Sequence, residues 1–123
     1  MKEEKVDKLA FVYTDAEKEQ DEANAEIMAA LSHPLRLRMT RELVRCGPRN
    51  VKSFVEQINV SQPAVSQHLS RLRVAGVTKQ RKEGTRVIYT VDNPAIEQLI
   101  EIFYPGTLAE RDELIKSGEY GEE

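Results

Sequence analysis

The sequence is poor in the residues that carry most kinds of chemistry: its 123 residues include one cysteine, two histidines and no tryptophan. A lone Cys46 cannot close an intrachain disulfide, which points to a reducing compartment. Two scattered histidines and one cysteine are too few for the thiolate or imidazole sets that borderline and soft metals need. No metal site and no cofactor are therefore expected. Long apolar runs are also missing, since none approaches the ~20 residues that cross a bilayer. The opening Met1-Lys2-Glu3-Glu4-Lys5 is too acidic for a secretory signal and lacks its apolar stretch. The expectation is a cytoplasmic protein that does not engage a membrane. There is also no glycine-rich phosphate loop, no nucleophile–histidine–acid spacing and no paired metal motif, so an enzyme is not expected.

What the chain does have is charge, and it is unevenly placed. Charged residues make up 32% of the sequence and hydrophobic ones 40%, which suits one helix-rich domain over residues 1–123. Residues 1–26 hold four lysines against nine acids, a net −5. Residues 27–91 hold twelve lysines and arginines against three acids, a net +9, and residues 92–123 hold two cations against nine acids, a net −7. A basic middle between acidic ends is the footprint of a surface that meets phosphate in one place and avoids it elsewhere. Solvated charge runs explain the ends equally well, but they do not explain why so few acids fall in the middle.

Local signals divide the chain into elements. Thr14-x-x-Glu17 has the form of a capping box and starts a helix over Asp15–Leu31, with Ala23, Ile27, Ala30 and Leu31 in helical spacing. Ser32-His33-Pro34 interrupts it. A second helix follows over Pro34–Arg45, with Leu35, Met39, Leu43 and Val44 inward, until Cys46-Gly47-Pro48 stops it. Asn50 caps a short helix over Val51–Ile58, and Asn59 tolerates the left-handed turn after it. Ser61 caps a fourth helix that Gly76 closes, with Pro63 in its first turn. Two strands, Val77–Lys82 and Thr85–Val91, flank a Glu83-Gly84 turn. A last helix begins at Asp92-Asn93-Pro94 and ends at Pro105-Gly106, and the acidic tail can hold one more, Leu108–Lys116. The fold class is mainly α with a small β-hairpin: helix, helix, helix-turn-helix, wing, helix. That order is a DNA-reading architecture.

On the fourth helix, Val65, Leu69 and Leu72 share one side, while Gln62, Pro63, Ser66, Gln67 and Ser70 occupy the other. That second side is polar, uncharged and short-armed. Glutamine can pair bidentately with adenine, and serine can serve several bases. An ordinary solvent face would more often carry glutamate and lysine. The expected DNA-contact set is Ser61, Gln62, Pro63, Ser66, Gln67, His68, Ser70 and Arg71 on this helix, with Lys79, Arg81, Lys82, Thr85 and Arg86 on the wing. The wing cations suit phosphates or a narrow minor groove. His68, on the border of the core side, suits packing beside the DNA surface.

Three stretches resemble one family: Leu31-Ser-His-Pro-Leu-Arg-Leu-Arg38, Ser61-Gln-Pro-Ala-Val-Ser-Gln-His-Leu-Ser-Arg-Leu-Arg-Val-Ala-Gly76 and Arg81-Lys-Glu-Gly-Thr-Arg-Val-Ile-Tyr89. They are similar to the ArsR/SmtB family of bacterial transcriptional repressors, over residues 27–104. The resemblance implies a homodimer paired through the first and last helices and bound to a two-fold operator of double-stranded DNA. The last helix agrees independently, being more apolar than one buried stripe needs. The expected dimer-interface residues are Ile27, Leu31, Ile96, Leu99, Ile100, Phe103 and Tyr104. Many members of that family leave DNA on binding a metal, but the ligands are missing here. Val51–Ile58 contains no cysteine, and no histidine follows His68. The inference is a repressor released by a non-metal signal, a small-molecule inducer among the candidates, with Leu9, Phe11, Val12 and Tyr13 apolar enough to line a pocket. The competing class is a winged-helix module that docks protein, using the acidic ends as arms.

Overall fold

The computed structural model describes residues 12–121, so Leu9 and Phe11 lie outside the described residues. Six helices follow in order, α1 (Asp15–Leu31), α2 (Pro34–Cys46), α3 (Val51–Ile58), α4 (Gln62–Val74), α5 (Pro94–Phe103) and α6 (Thr107–Ser117), with three short strands, β1 (Arg49–Asn50), β2 (Lys79–Glu83) and β3 (Arg86–Thr90).

Side-chain caps fix five of the six helix starts. Thr14 and Glu17 form the reciprocal capping box of α1. His33 Nδ1 accepts the Leu35 amide at 3.2 Å at the start of α2. Asn50 and Ser61 accept from Ser53 and Ala64 ahead of α3 and α4, and Asn93 accepts from Ala95 ahead of α5. Each such cap is worth about 0.5–2 kcal/mol. Asn59 takes the left-handed conformation (φ 52°), which any larger β-substituted residue would resist.

The core lies where α1, α2, α4 and α5 converge over the sheet. Met39, Leu43, Phe54, Val65, Leu69, Leu72 and Ile100 are fully buried, each contributing about 1.5–3 kcal/mol of burial. The strands form one antiparallel sheet in the order β1-β3-β2, with Arg49 opposite Tyr89, Arg81 opposite Ile88 and Glu83 opposite Arg86.

Five features differ from the sequence reading. The hairpin turn is Gly84-Thr85, because Glu83 still pairs with Arg86 and Gly84 supplies the positive φ (66°) at the first turn position. The first wing strand starts at Lys79, since Val77 and Thr78 are buried in the approach to it. A third strand, β1, joins the hairpin and makes β3 central, and α2 and α3 pack against β3, whose Ile88 and Tyr89, on opposite faces, are both buried. The second helix also runs one residue further, to Cys46, and the tail helix spans Thr107–Ser117.

Helix α6 folds back onto α2. Glu101 accepts the amides of Gly106 (2.8 Å) and Leu108 (2.9 Å), and these bonds hold its carboxyl below the usual carboxylate range. Arg45 meets Glu42 at 2.6 Å, and both Arg41 and Arg45 approach Glu110. Burial pushes the Glu42 carboxyl up, but the bond and charge of Arg45, with Arg41 beside it, outweigh burial and leave it lowered. Past α6 the chain crosses the end of α2, where the Gly121 amide donates to the Cys46 carbonyl at 2.6 Å. The Tyr120 ring lies against Gly47, at φ 89°, where a Cβ would come within 2.8 Å of it.

Candidate nucleic-acid interface

Helices α3 and α4, joined through left-handed Asn59, form a helix-turn-helix, and the β2–β3 hairpin stands beside it as a wing. Helix α4 is anchored on one side by Val65, Leu69 and Leu72, all fully buried. Its outer side presents Ser61, Gln62, Pro63 and Gln67 exposed, with Ser66 and Ser70 half-buried. The expected base-facing set therefore lies together on one open surface. The remaining two residues of the set on this helix behave differently. Arg71 Nη1 is 2.8 Å from Glu26 of α1. His68 is half-buried, and its ring centroid lies 4.7 Å from that of His33 at a tilt of 51°. The two histidines are thus not scattered. The packing of α4 against the α1–α2 corner brings together residues 35 positions apart.

The wing cations divide between two faces. Side chains alternate along β2, so Lys79, Arg81 and Glu83 share one face while Lys82 lies on the other. Arg86, opposite Glu83, belongs with Arg81. Several are already paired within the chain: Lys79 Nζ meets Asp92 at 3.3 Å and Arg81 Nε meets Glu83 at 2.8 Å. Lys82 and the tip residue Thr85 are exposed, and Lys82 makes no ion pair among the described residues. Exposed pairs of this kind are worth about 0–1 kcal/mol and exchange readily for phosphate.

A second surface lies between α1 and α5. It is an open groove of about 750 Å³ lined by Ile27, Met28, Leu31, Leu37, Ile96, Leu99 and Phe103, with Gln20, Asn24 and Asn93 among the polar residues at its margin. Of the residues expected to meet a partner, Ile27 and Leu99 are half-buried and Phe103 is 63% exposed. Leu31, Ile96 and Ile100 are buried in the protomer's own core, the first two as the groove floor, and have little surface left to offer. Tyr104 is half-buried under the guanidinium groups of Arg38 and Arg41. Two further apolar residues are exposed at or beside the groove: Met28 (67% exposed), next to Ile27, and Ile102 (70%), one turn from Leu99. Helical spacing in α5 carried that signal, because Ala95, Leu99 and Ile102 recur at four and three residues.

Among the described residues no three His, Cys, Asp or Glu side chains converge as a metal site would need, and no helix is long and apolar enough to cross a membrane.

The model of the bacterial regulatory proteins of the arsR family matches residues 33–79, from the cap of α2 to the first residue of the wing. The transcriptional repressor PagR of Bacillus anthracis is 32% identical over 84 residues, covering 68% of this chain and 84% of PagR. This chain belongs to the ArsR family. A crystal structure of PagR superposes with a TM-score of 0.65 at 30% identity over 70% of this chain and 98% of that one. The biofilm growth-associated repressor of Xylella fastidiosa is 33% identical over 90 residues, 73% of this chain and 77% of its own. The crystal structure of the repressor BigR from Xylella fastidiosa gives a TM-score of 0.62 at 32% identity, covering 76% of this chain and 94% of that one. The α3–α4 unit is thus the DNA-binding helix-turn-helix of an ArsR-family transcriptional regulator, and PagR and the biofilm growth-associated repressor, which match over that part, are repressors.

Proposed function

We propose that this ArsR-family chain is a homodimeric cytoplasmic repressor that sets α4 into the major groove of a two-fold operator and is released by a non-metal signal. The observation that carries the reading is the outer side of α4, where Gln62, Ser66, Gln67 and Ser70 present uncharged hydrogen-bonding groups on a helix anchored from behind. Gln62 and Gln67 are the base readers, and Ser66 and Ser70 support them. Ser61, Pro63 and Thr85 lie along the backbone, while Arg81, Lys82 and Arg86 contact phosphate or the minor groove. A docking module would have less need of such a face beside a cationic wing. Pairing through Met28, Leu99, Ile102 and Phe103 covers apolar surface that a lone protomer leaves in water. A winged helix-turn-helix domain from Mycobacterium bovis of the same fold (TM-score 0.68, 22% identity) is itself homodimeric. The sparse donor set supports a signal other than a soft metal.

The test is fluorescence anisotropy against duplexes that the protein enriches from a random pool. The expected result is sequence-preferring binding that falls steeply as salt rises. Absence of enrichment, or binding indifferent to salt, sinks the reading. Adding Zn²⁺ or Cu⁺ is expected to leave affinity nearly unchanged, and a hundredfold loss on adding either would refute the non-metal signal.

A further inference from the structure

The contact between the two histidines is not explained by base reading. His68 sits on α4 one residue after Gln67, but it turns inward toward the corner where α1 meets α2. There it meets His33, whose Nδ1 accepts the Leu35 amide and is therefore unprotonated. We propose that His68 is a positioning residue: its neutral ring, seated on His33, holds the reading helix to the α1–α2 corner, and protonation of His68 loosens the helix and weakens operator binding.

The cationic neighbour of the pair favours the neutral form. Arg36 of α2 lies nearby, its Nε donating to the Ala30 carbonyl at 2.6 Å. Glu26 of α1, the acid that meets α4, is paired with Arg71 of that helix at 2.8 Å. Burial first, then His33 and Arg36, lower the pKa of His68 from the ordinary histidine value. The sign follows from that direction. A depressed pKa in the folded state means the seated arrangement is fully stable above the ordinary histidine pKa. That stability is lost as pH falls through the folded value. The chain has only two histidines, so no other side chain of ordinary pKa titrates in the same range.

The inference rests on the DNA-binding reading, and its test separates the two. Affinity for the enriched duplex is measured at about pH 7.5 and about pH 5.5 for the wild-type chain, His68→Gln and His33→Asn, the last of which keeps a capping side chain. The wild type is expected to bind roughly five- to tenfold more weakly at the lower pH, the scale of a modest coupling between sites. Both variants are expected to lose most of that difference. If His68 touched phosphate instead, the complex would favour the imidazolium. The wild type would then bind more tightly on acidification relative to His68→Gln, which overturns the proposal. The imidazole titrations, followed by NMR without DNA, decide the pair even if no duplex is enriched. The expected result is that His68 titrates below the ordinary value and moves back toward it in His33→Asn. A His68 titration that ignores His33 overturns the proposal while leaving DNA binding untouched.

Discussion

Helices α4 and α5 are close in length, thirteen and ten residues, and each buries one side. Their other sides are opposites. From Gln62 to Ser70 the outer side of α4 is amide and hydroxyl, content in water and ready for base edges, with exposed Arg73 and Val74 only at its end. The outer side of α5 carries Ile102 and Phe103, 70% and 63% exposed, which water penalises. One helix can wait for its partner at no cost, while the other is driven toward one. Under the proposed function, the uncovered polar face and the uncovered apolar face mark different events, selection on one side of the molecule and assembly on the other.

The comparison breaks first if the buried and open sides of α4 are not separable. Leu69→Ala is expected to destabilise the fold by about 2–5 kcal/mol in urea unfolding, whereas Gln67→Ala stays within about 0.5 kcal/mol. Phe103→Ser is expected to weaken self-association by about 2 kcal/mol, the scale of an exposed aromatic anchor at an interface. Sedimentation equilibrium measures it, and a variant as dimeric as the wild type removes α5 from the interface. Gln67→Ala, neutral for folding, is expected to lose about 1–3 kcal/mol of discrimination at one base pair, read from affinities for singly substituted duplexes. A smaller effect is expected on the acid side. Glu101, held low by the Leu108 and Gly106 amides, gives stability that is present above the ordinary carboxylate pKa and lost as pH falls through its own value. Glu101→Gln should therefore flatten the acid limb of the stability profile and lower stability at neutral pH. Smallest of all, Arg81→Ala is expected to reduce the salt dependence of DNA binding by about one phosphate contact. An unchanged slope would leave Arg81 with Glu83 alone.

Legibility tracked sequence separation. The caps at Thr14, Asn50 and Ser61 were visible because a cap needs only its own next few residues. The turn after α3 and the anchoring triad of α4 were visible for the same reason. The strand β1 was not, since two residues carry no periodicity and its partner Tyr89 lies forty positions away. The contacts of His33 with His68 and of Glu26 with Arg71 arise only once α4 packs on α1 and α2. Helical spacing also showed that Ile96, Leu99, Ile100 and Phe103 neighbour one another on α5, but not how far around the helix the protomer's own core extends. That boundary falls between Ile100, which is sealed, and Phe103, which is open.

The carboxylate of Glu101, locked onto the backbone at the start of α6, makes α5 and α6 a single bent lever. Its short arm carries the apolar surface of α5, and its long arm rests on α2 through Glu110, with Arg41 and Arg45 as the bearing. The corner between α5 and α6 is thus held by two backbone bonds rather than left slack, and the helix that carries the exposed apolar surface is tied through α6 to α2.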